Sequence, residues 1–278
     1  MSEKKSKQTL PVTEAGQIAE EIYSLTVQYP ESSAPEEVKP GQFVGVYPEN
    51  AASLLPRPIS ICEWDKEERT LRLVYRTVGK GTREFSRLHA GDTVDLLGIL
   101  GNGYEVSSLK GKKILLLGGG IGAPPMLGLA EALYEANQAA GEDPRSLVTA
   151  VMGYRTNDLF LTEEFERAGR LLVSTDDGSV GVKGNVIDAV RVLLAKEKET
   201  HFDAVCACGP MPMLRGVKDF AGELGIPAWI SLEERMACGV GACLGCVAKT
   251  AREDGHSHVH NARVCTEGPV FAAEDVEI

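Results

Sequence analysis

The stretch Ile114-Leu115-Leu116-Leu117-Gly118-Gly119-Gly120-Ile121-Gly122-Ala123-Pro124-Pro125 decides the fold. Its first four residues form the continuous apolar run expected of a strand buried on both faces, and the glycines end that run abruptly. A helix-like stretch from Met126 to Asn137 follows. Strand, glycine turn and helix in this order predict a nucleotide-phosphate loop at Gly118, Gly119, Gly120, Ile121 and Gly122. Glycine permits positive φ and close backbone approach, and a helix start offers free N–H groups at the positive end of its dipole. Pro124 and Pro125 suit a first helical turn, having no N–H to leave unsatisfied. The dinucleotide fingerprint threads as Gly118-x-Gly120-x-x-Ala123, but the acid expected about 20 residues later is missing. Ala136 to Ala140 carries no charge. A tight strand-to-helix turn without a ligand is the alternative reading.

Outward from this stretch, strand and helix signals alternate. Strands are expected at Val148 to Val151, Leu171 to Ser174, Ala204 to Ala207 and Ala228 to Ile230. Helices are expected at Glu163 to Ala168, Val186 to Lys196 and Met213 to Leu224. Such alternation predicts a Rossmann-like, doubly wound parallel α/β domain over residues 110–230. Ligands bind at the C-terminal strand edge of such sheets, which makes Cys208-Gly209-Pro210 and Asp176 candidate cofactor contacts. A carboxylate there accepts from ribose hydroxyls and repels a 2′-phosphate, favouring NAD over NADP, whereas Asp176-Asp177-Gly178-Ser179 also reads as an ordinary turn. Cys206 and Cys208 also fit as small core residues, and Cys206 is read as one.

Residues 8–108 differ. Short β-rich runs at Ile18 to Gln28, Gln42 to Tyr47, Ser60 to Glu63, Thr70 to Val78 and Thr93 to Leu97 are separated by turns such as Lys39-Pro40-Gly41. They predict an antiparallel barrel. Arg57-Pro58-Ile59-Ser60 places a guanidinium and a hydroxyl beside a rigid proline, a fork suited to phosphate. Tyr75-Arg76 and the glycine-rich loop Gly79-Lys80-Gly81-Thr82, ahead of a helix at Arg83 to Leu88, extend that candidate anion site. Each is weak alone, since an Arg-Pro dipeptide is usually surface.

The last segment, 231–278, holds four of the seven cysteines as Cys238-x4-Cys243-x2-Cys246-x18-Cys265. This spacing is the plant-type [2Fe–2S] pattern. Structural zinc is the alternative, although zinc sites more often use two paired knuckles. The intervening Gly239-Val240-Gly241-Ala242 is small enough to turn N–H groups toward sulfur. The segment is too small to form a core alone and is expected to be held by its metal. His256, His258 and His260 alternate across an expected hairpin turned at Asp254-Gly255, which reads as exposed surface rather than a metal site.

A net charge of −11 excludes an ordinary nucleic-acid binder, and 25% charged residues exclude collagen-like and disordered classes. The longest uncharged run, Ile114 to Ala130, carries five glycines and two prolines, unlike a membrane helix. Met1 to Leu10 lacks the apolar stretch of a secretory signal, so a cytoplasmic protein is expected.

Together, the Arg-Pro-Ile-Ser segment, the Gly-Thr loop, the Gly-Gly-Gly-Ile-Gly-Ala-Pro-Pro turn, Cys-Gly-Pro and the four cysteines resemble the ferredoxin-reductase superfamily. Leu232 to Val247 and Val264-Cys265-Thr266-Glu267-Gly268-Pro269-Val270-Phe271 narrow the resemblance to electron-transfer subunits of NAD-dependent, class 1B dihydroorotate dehydrogenases. The resemblance implies FAD held by Arg57, Pro58, Ile59, Ser60, Val74, Tyr75, Arg76, Gly81 and Thr82. It implies nicotinamide near Cys208, Gly209 and Pro210, and a [2Fe–2S] cluster on Cys238, Cys243, Cys246 and Cys265. It further implies an FMN-containing catalytic partner that oxidises dihydroorotate to orotate, in a heterotetramer with two of each subunit. A flavin belongs between nicotinamide, which exchanges hydride, and a cluster that takes one electron at a time. Hydride transfer at a flavin needs no general acid or base, so no catalytic side chain is assigned. One departure is Leu97-Gly98-Ile99-Leu100-Gly101-Asn102-Gly103, which lacks the proline often found at its third position; no phosphate ligand is lost. Rival readings are a flavin and iron–sulfur NAD(P)H reductase subunit for another partner (sulfide, sulfur, glutamate or oxygenase linked), a zinc-stapled nucleotide-sensing module, and a flavin-free adaptor.

Overall fold

The computed structural model describes residues 5–50, 53–253 and 258–278. A closed antiparallel barrel forms from β1 (Lys7–Ala19), β2 (Ile22–Gln28), β3 (Phe43–Tyr47), β4 (Arg57–Asp65), β5 (Thr70–Arg76) and β6 (Thr93–Leu100), in the spatial order β1-β2-β5-β4-β3-β6. Helix α1 (Lys80–Phe85) follows β5, beginning three residues before the expected helix. Alternation on β5 divides its side chains: Leu71, Leu73 and Tyr75 fill the barrel, while Val74 packs outside against the second unit.

A short helix, α2 (Val106–Leu109), leads to the α/β unit. Its elements are β7 (Ile114–Gly119), α3 (Ala123–Gln138), α4 (Pro144–Leu147), β8 (Val148–Tyr154), α5 (Thr162–Ala168), β9 (Arg170–Thr175), β10 (Val182–Lys183), α6 (Val186–Lys196), β11 (Ala204–Cys208), α7 (Met211–Leu224) and β12 (Ala228–Ser231). The sheet order is β10-β9-β8-β7-β11-β12-β15, where β15 is Val270–Ala272. From β7 the chain builds outward through β8 and β9, then returns to place β11 on the other side of β7. The switch point therefore lies between β7 and β11, where crevices of open α/β sheets form.

The sheet differs from the wholly parallel one expected: β15 pairs antiparallel with β12 through Trp229–Ala272, Ile230–Phe271 and Ser231–Val270. The C-terminal segment is also not held by metal alone. Cys246, Val264, Cys265, Ala273 and Val276 are buried in one apolar cluster with Leu115, Leu117 and Ile230 of the sheet. A residual hairpin, β13 (Val247–Lys249) with β14 (Asn261–Arg263), projects from it. His258 and His260 lie in its exposed connection rather than on a strand face, and the expected turn at 254–255 and His256 fall outside the described residues. No helix among the described residues is long and apolar enough to cross a membrane.

Barrel and α/β unit share a core: Ile22, Cys62 and Val74 pack with Met126, Leu127 and Ala130 of α3. At the rim of this seam Arg72 bridges Glu63 at 2.5 Å and Glu164 of α5 at 3.7 Å. Glu131 of α3 shares a hydrogen bond with Glu63. Loss of water raises the Glu131 carboxyl to about 8, the charge of Glu63 adds to this, and Arg72 opposes it. A carboxyl whose folded pKa exceeds its unfolded value adds stability below the unfolded value, near 4.5, and loses it as pH rises through about 8. The thermal midpoint should therefore fall as pH rises across that window, and Glu131→Gln, which keeps a hydrogen-bonding amide, should flatten the fall. An unchanged slope in thermal melts of the variant would remove Glu131 as its source.

Candidate functional site

Three groups of residues converge where the barrel meets the C-terminal edge of the sheet. The first is the switch-point crevice. Cys208 pairs with Gly118 across β11 and β7, so the loops after these strands lie side by side. A Cβ on Gly122 would stand 2.1 Å from the Cys208 carbonyl oxygen, and one on Gly209 would stand 3.2 Å from the Gly119 amide nitrogen. Glycine is needed at 122 for that close approach. Gly120 has φ +54, and a Cβ there would meet Arg76 at 3.4 Å. The turn is a short 3-10 segment, Gly120–Gly122, running into α3 with prolines in its first turn.

The second group lies on the barrel. The Arg57 side chain stands against Gly81, whose Cβ would be 2.9 Å from the guanidinium Nε, and Arg57 donates to the Leu55 carbonyl at 2.6 Å. Thr82 accepts from the Val78 and Gly79 amides at 3.0 and 3.1 Å, so its hydroxyl shapes the loop around Arg57. Pro58, Ile59 and Ser60 are half-buried on β4. Arg76 reaches the glycine turn, whereas the Tyr75 ring is buried in the barrel, stacked on Tyr23 and edge-on to Phe85. Two guanidinium groups over glycine-cradled backbone suit a diphosphate-bearing group.

Glu233 joins these groups and was not singled out from the sequence. Reduced hydration raises its carboxyl, opposed by the Arg76 charge. Burial, then the Glu233 charge, pushes the Cys208 thiol up to about 12, while Ser231 shares a hydrogen bond with it. Cys208 is thus a neutral thiol at neutral pH, and Glu233, Arg76 and Cys208 join sheet and barrel. Only its place after β12 links Glu233 to Cys208, a tertiary relation with no spacing signal. Asp176 is exposed at the end of β9, its amide donating to the Tyr154 carbonyl at 3.1 Å. The neighbouring Asp177 carboxylate accepts from Ser179, and its pKa is lowered by those bonds. Cys206 is wholly buried, and that burial raises its thiol pKa.

The third group is the cysteine segment. Cys238 accepts from the Val240 and Cys243 amides, both at 3.4 Å. Burial alone would raise its thiol, but these bonds, with those from the Cys243 side chain and the Ala242 amide, bring it down to about 6. Cys265 bonds with Cys246 and accepts from the Gly241 amide; burial, then Cys246, raise its thiol to about 11. The thiols therefore associate as Cys238 with Cys243 and Cys246 with Cys265. Among the described residues, no three His, Cys, Asp or Glu side chains close around a single ion. Two pairs are the arrangement that two irons, each taking two thiolates, demand. Positive φ at Gly239 and Gly241, +67 and +80, turns the loop so that its amides face sulfur. The donor set fits an iron–sulfur cluster.

Residues 233–277 match the family described as the iron-sulfur cluster binding domain of dihydroorotate dehydrogenase B. A Fusobacterium nucleatum protein named dihydroorotate dehydrogenase B (NAD(+)), electron transfer subunit, is 41% identical over 271 residues, covering 96% of this chain and 97% of its own length. The chain belongs to the family of dihydroorotate dehydrogenase B electron transfer subunits. A Listeria monocytogenes member of that family is 38% identical, with 97% of this chain and 98% of its own covered. Among solved structures, one of an NADH-dependent reduced ferredoxin–NADP oxidoreductase superposes with a TM-score of 0.80 at 32% identity, covering 100% of this chain and 91% of that one. The ferredoxin reductase of carbazole 1,9a-dioxygenase has a TM-score of 0.66 at 20% identity, covering 82% and 68%, and shares the fold. The ferredoxin-reductase resemblance read from the motifs is thereby borne out.

In this member of the family a side chain at position 122 would run into the Cys208 carbonyl across the crevice. Gly122→Ala places a methyl against a backbone oxygen that cannot rotate away. Overpacking of this kind costs about 1–3 kcal/mol, so the urea midpoint should fall accordingly. An unchanged midpoint would mean that the two loops are free to separate.

Proposed function

We propose that this chain is the electron-transfer subunit of an NAD-linked dihydroorotate dehydrogenase, with dihydroorotate oxidised to orotate for pyrimidine synthesis on an FMN-containing partner subunit. The observation that carries this reading is the near-complete match, over both lengths, to relatives bearing that name. The three parts of the reading are an FAD-binding barrel over 8–108, an NAD-binding α/β unit over 110–230 and a cluster-binding segment over 231–278. The working assembly is two copies of each subunit, in the cytoplasm.

When bound, nicotinamide exchanges hydride, the cluster carries single electrons and FAD converts between the two. The chain's own residues bind and orient. Arg57 and Arg76 neutralise the diphosphate of FAD, with Pro58, Ile59 and Ser60, the backbone of Val74 and Tyr75, and Gly81 and Thr82 forming the surrounding wall. Gly118 to Gly122, with Cys208, Gly209 and Pro210, hold NAD at the switch point, where the neutral Cys208 thiol adds no charge. Asp176 favours an unphosphorylated ribose, in keeping with NAD rather than NADP. Cys238, Cys243, Cys246 and Cys265 ligate the [2Fe–2S] cluster. A second reading, the same relay feeding a different partner, is favoured by the 32% identity to the NADH-dependent ferredoxin–NADP oxidoreductase.

Arg57→Ala should weaken FAD retention about tenfold or more, since a charge-assisted hydrogen bond is worth roughly 1.5–3 kcal/mol. Flavin content after gel filtration checks this; full retention would move the phosphate site elsewhere. The partner is tested by co-expression with an FMN-containing dihydroorotate dehydrogenase catalytic subunit. Dihydroorotate-dependent reduction of NAD⁺ should require both chains and disappear in Cys243→Ser. Full NAD⁺ reduction by the FMN subunit alone, or none by the pair, would overturn the assignment in favour of the second reading.

A further inference from the structure

We propose that the Thr266 hydroxyl donates a hydrogen bond to the iron–sulfur cluster and raises its reduction potential. The inference rests on the cluster reading above. Thr266 Oγ1 is buried and has no hydrogen-bond partner among the described residues. Buried hydroxyls are nearly always paired, so an orphan beside a ligand loop marks a donor directed at the ligand.

Its place is fixed on three sides. Thr266 follows Cys265, and its amide donates to the Arg263 carbonyl at 3.1 Å. Its own carbonyl accepts from Asn102 Nδ2 at 3.0 Å. Its side chain packs on the cysteine loop: a Cβ on Gly241 would lie 2.9 Å from Thr266 Cγ2 and 3.3 Å from Oγ1. Gly241 is the residue whose amide bonds to Cys265. With the main chain held, only rotation about χ1 and of the hydroxyl remains, and a β-branched side chain has few χ1 states. Donors are unequally shared between the two thiol pairs. Cys238 receives amides from Val240, Ala242 and Cys243, whereas among the described residues Cys265 receives the Gly241 amide. Thr266 is positioned to supply a further donor on that poorer side.

Reduction adds one negative charge to the cluster. A hydrogen-bond donor stabilises the more negative state, so it raises the potential. The side chain matters through its hydroxyl, which separates this role from simple packing: valine matches threonine in shape and lacks the donor, while serine keeps the donor and lacks the methyl.

The test uses the purified complex with its FMN partner, as wild type, Thr266→Val and Thr266→Ser. Iron and acid-labile sulfide are measured first, then the reduced-cluster EPR signal is followed in a potentiometric titration. At a fixed poise, the reduced-to-oxidised ratio should be about tenfold lower in Thr266→Val, equivalent to about 59 mV for one electron. Thr266→Ser should titrate with the wild type. A Thr266→Val midpoint equal to the wild type overturns the inference, as does a Thr266→Ser midpoint shifted as far as that of valine. If Thr266→Val fails to hold iron and sulfide, Thr266→Ala is titrated against Thr266→Ser with the same expectation and the same contrary result. Absence of iron and sulfide from the wild type would instead sink the cluster reading itself.

Discussion

The capture of the C-terminal segment between sheet and barrel is the constraint on which the site depends. Strand β15 adds to the edge of the sheet beside β12, and Leu232 donates to the Pro269 carbonyl at 2.9 Å. From the other side, the Asn102 amide donates to the Gly268 carbonyl at 2.6 Å, and its side chain donates to Thr266 and Glu267. Gly101 makes this approach possible, since a Cβ there would stand 2.7 Å from Pro269. The loop Leu97 to Gly103, which lacks a proline, is therefore a clamp. Its glycine and asparagine tie the Thr266–Pro269 segment beside Cys265 to both the barrel and the sheet. Gly239, whose Cβ would lie 3.1 Å from Leu100, adds the same constraint to the other end of the cysteine loop.

That clamp explains why charged and sulfur-bearing groups from distant parts of the chain meet. Arg76 ends β5, Gly120 follows β7, Cys208 ends β11 and Glu233 follows β12, yet they share one crevice. Parallel strands deliver their C-terminal ends to one edge, and the barrel strands β4 and β5 close over it. Glu233 is exposed at the edge of this crevice, where partial loss of hydration raises its carboxyl and Arg76 opposes the rise. Cys208 follows the same logic, with burial acting first and Glu233 second.

Much of this was legible in the sequence because the chemistry imposes local spacing. Metal ligands on one loop must be a few residues apart, so the cysteine pattern survives as a string. Buried parallel strands write themselves as apolar runs, as Ile114 to Leu117 does. Strand β1 was less visible: its first part, from Lys7 to Gln17, contains Pro11 and Gly16 and is interrupted by register shifts. Its turn uses Glu21 at φ +59, a residue that does not announce a hairpin. The three-residue β15 is too short for periodicity to show. Tyr75 and Arg76 are neighbours in sequence but face opposite sides of β5, so a dipeptide motif could not divide core from crevice. Thr266 and Glu233 depend on contacts across about 25 or more residues, beyond any local pattern.

The central claim is that one chain links nicotinamide to a cluster through a flavin. Anaerobic titration of the purified chain with NADH, followed by visible absorption, tests it most directly. The account predicts loss of the oxidised flavin band together with bleaching of the broad iron–sulfur absorption. A colourless protein, or flavin bleaching in a protein that carries zinc in place of iron, would contradict it and leave the four cysteines with a structural role alone.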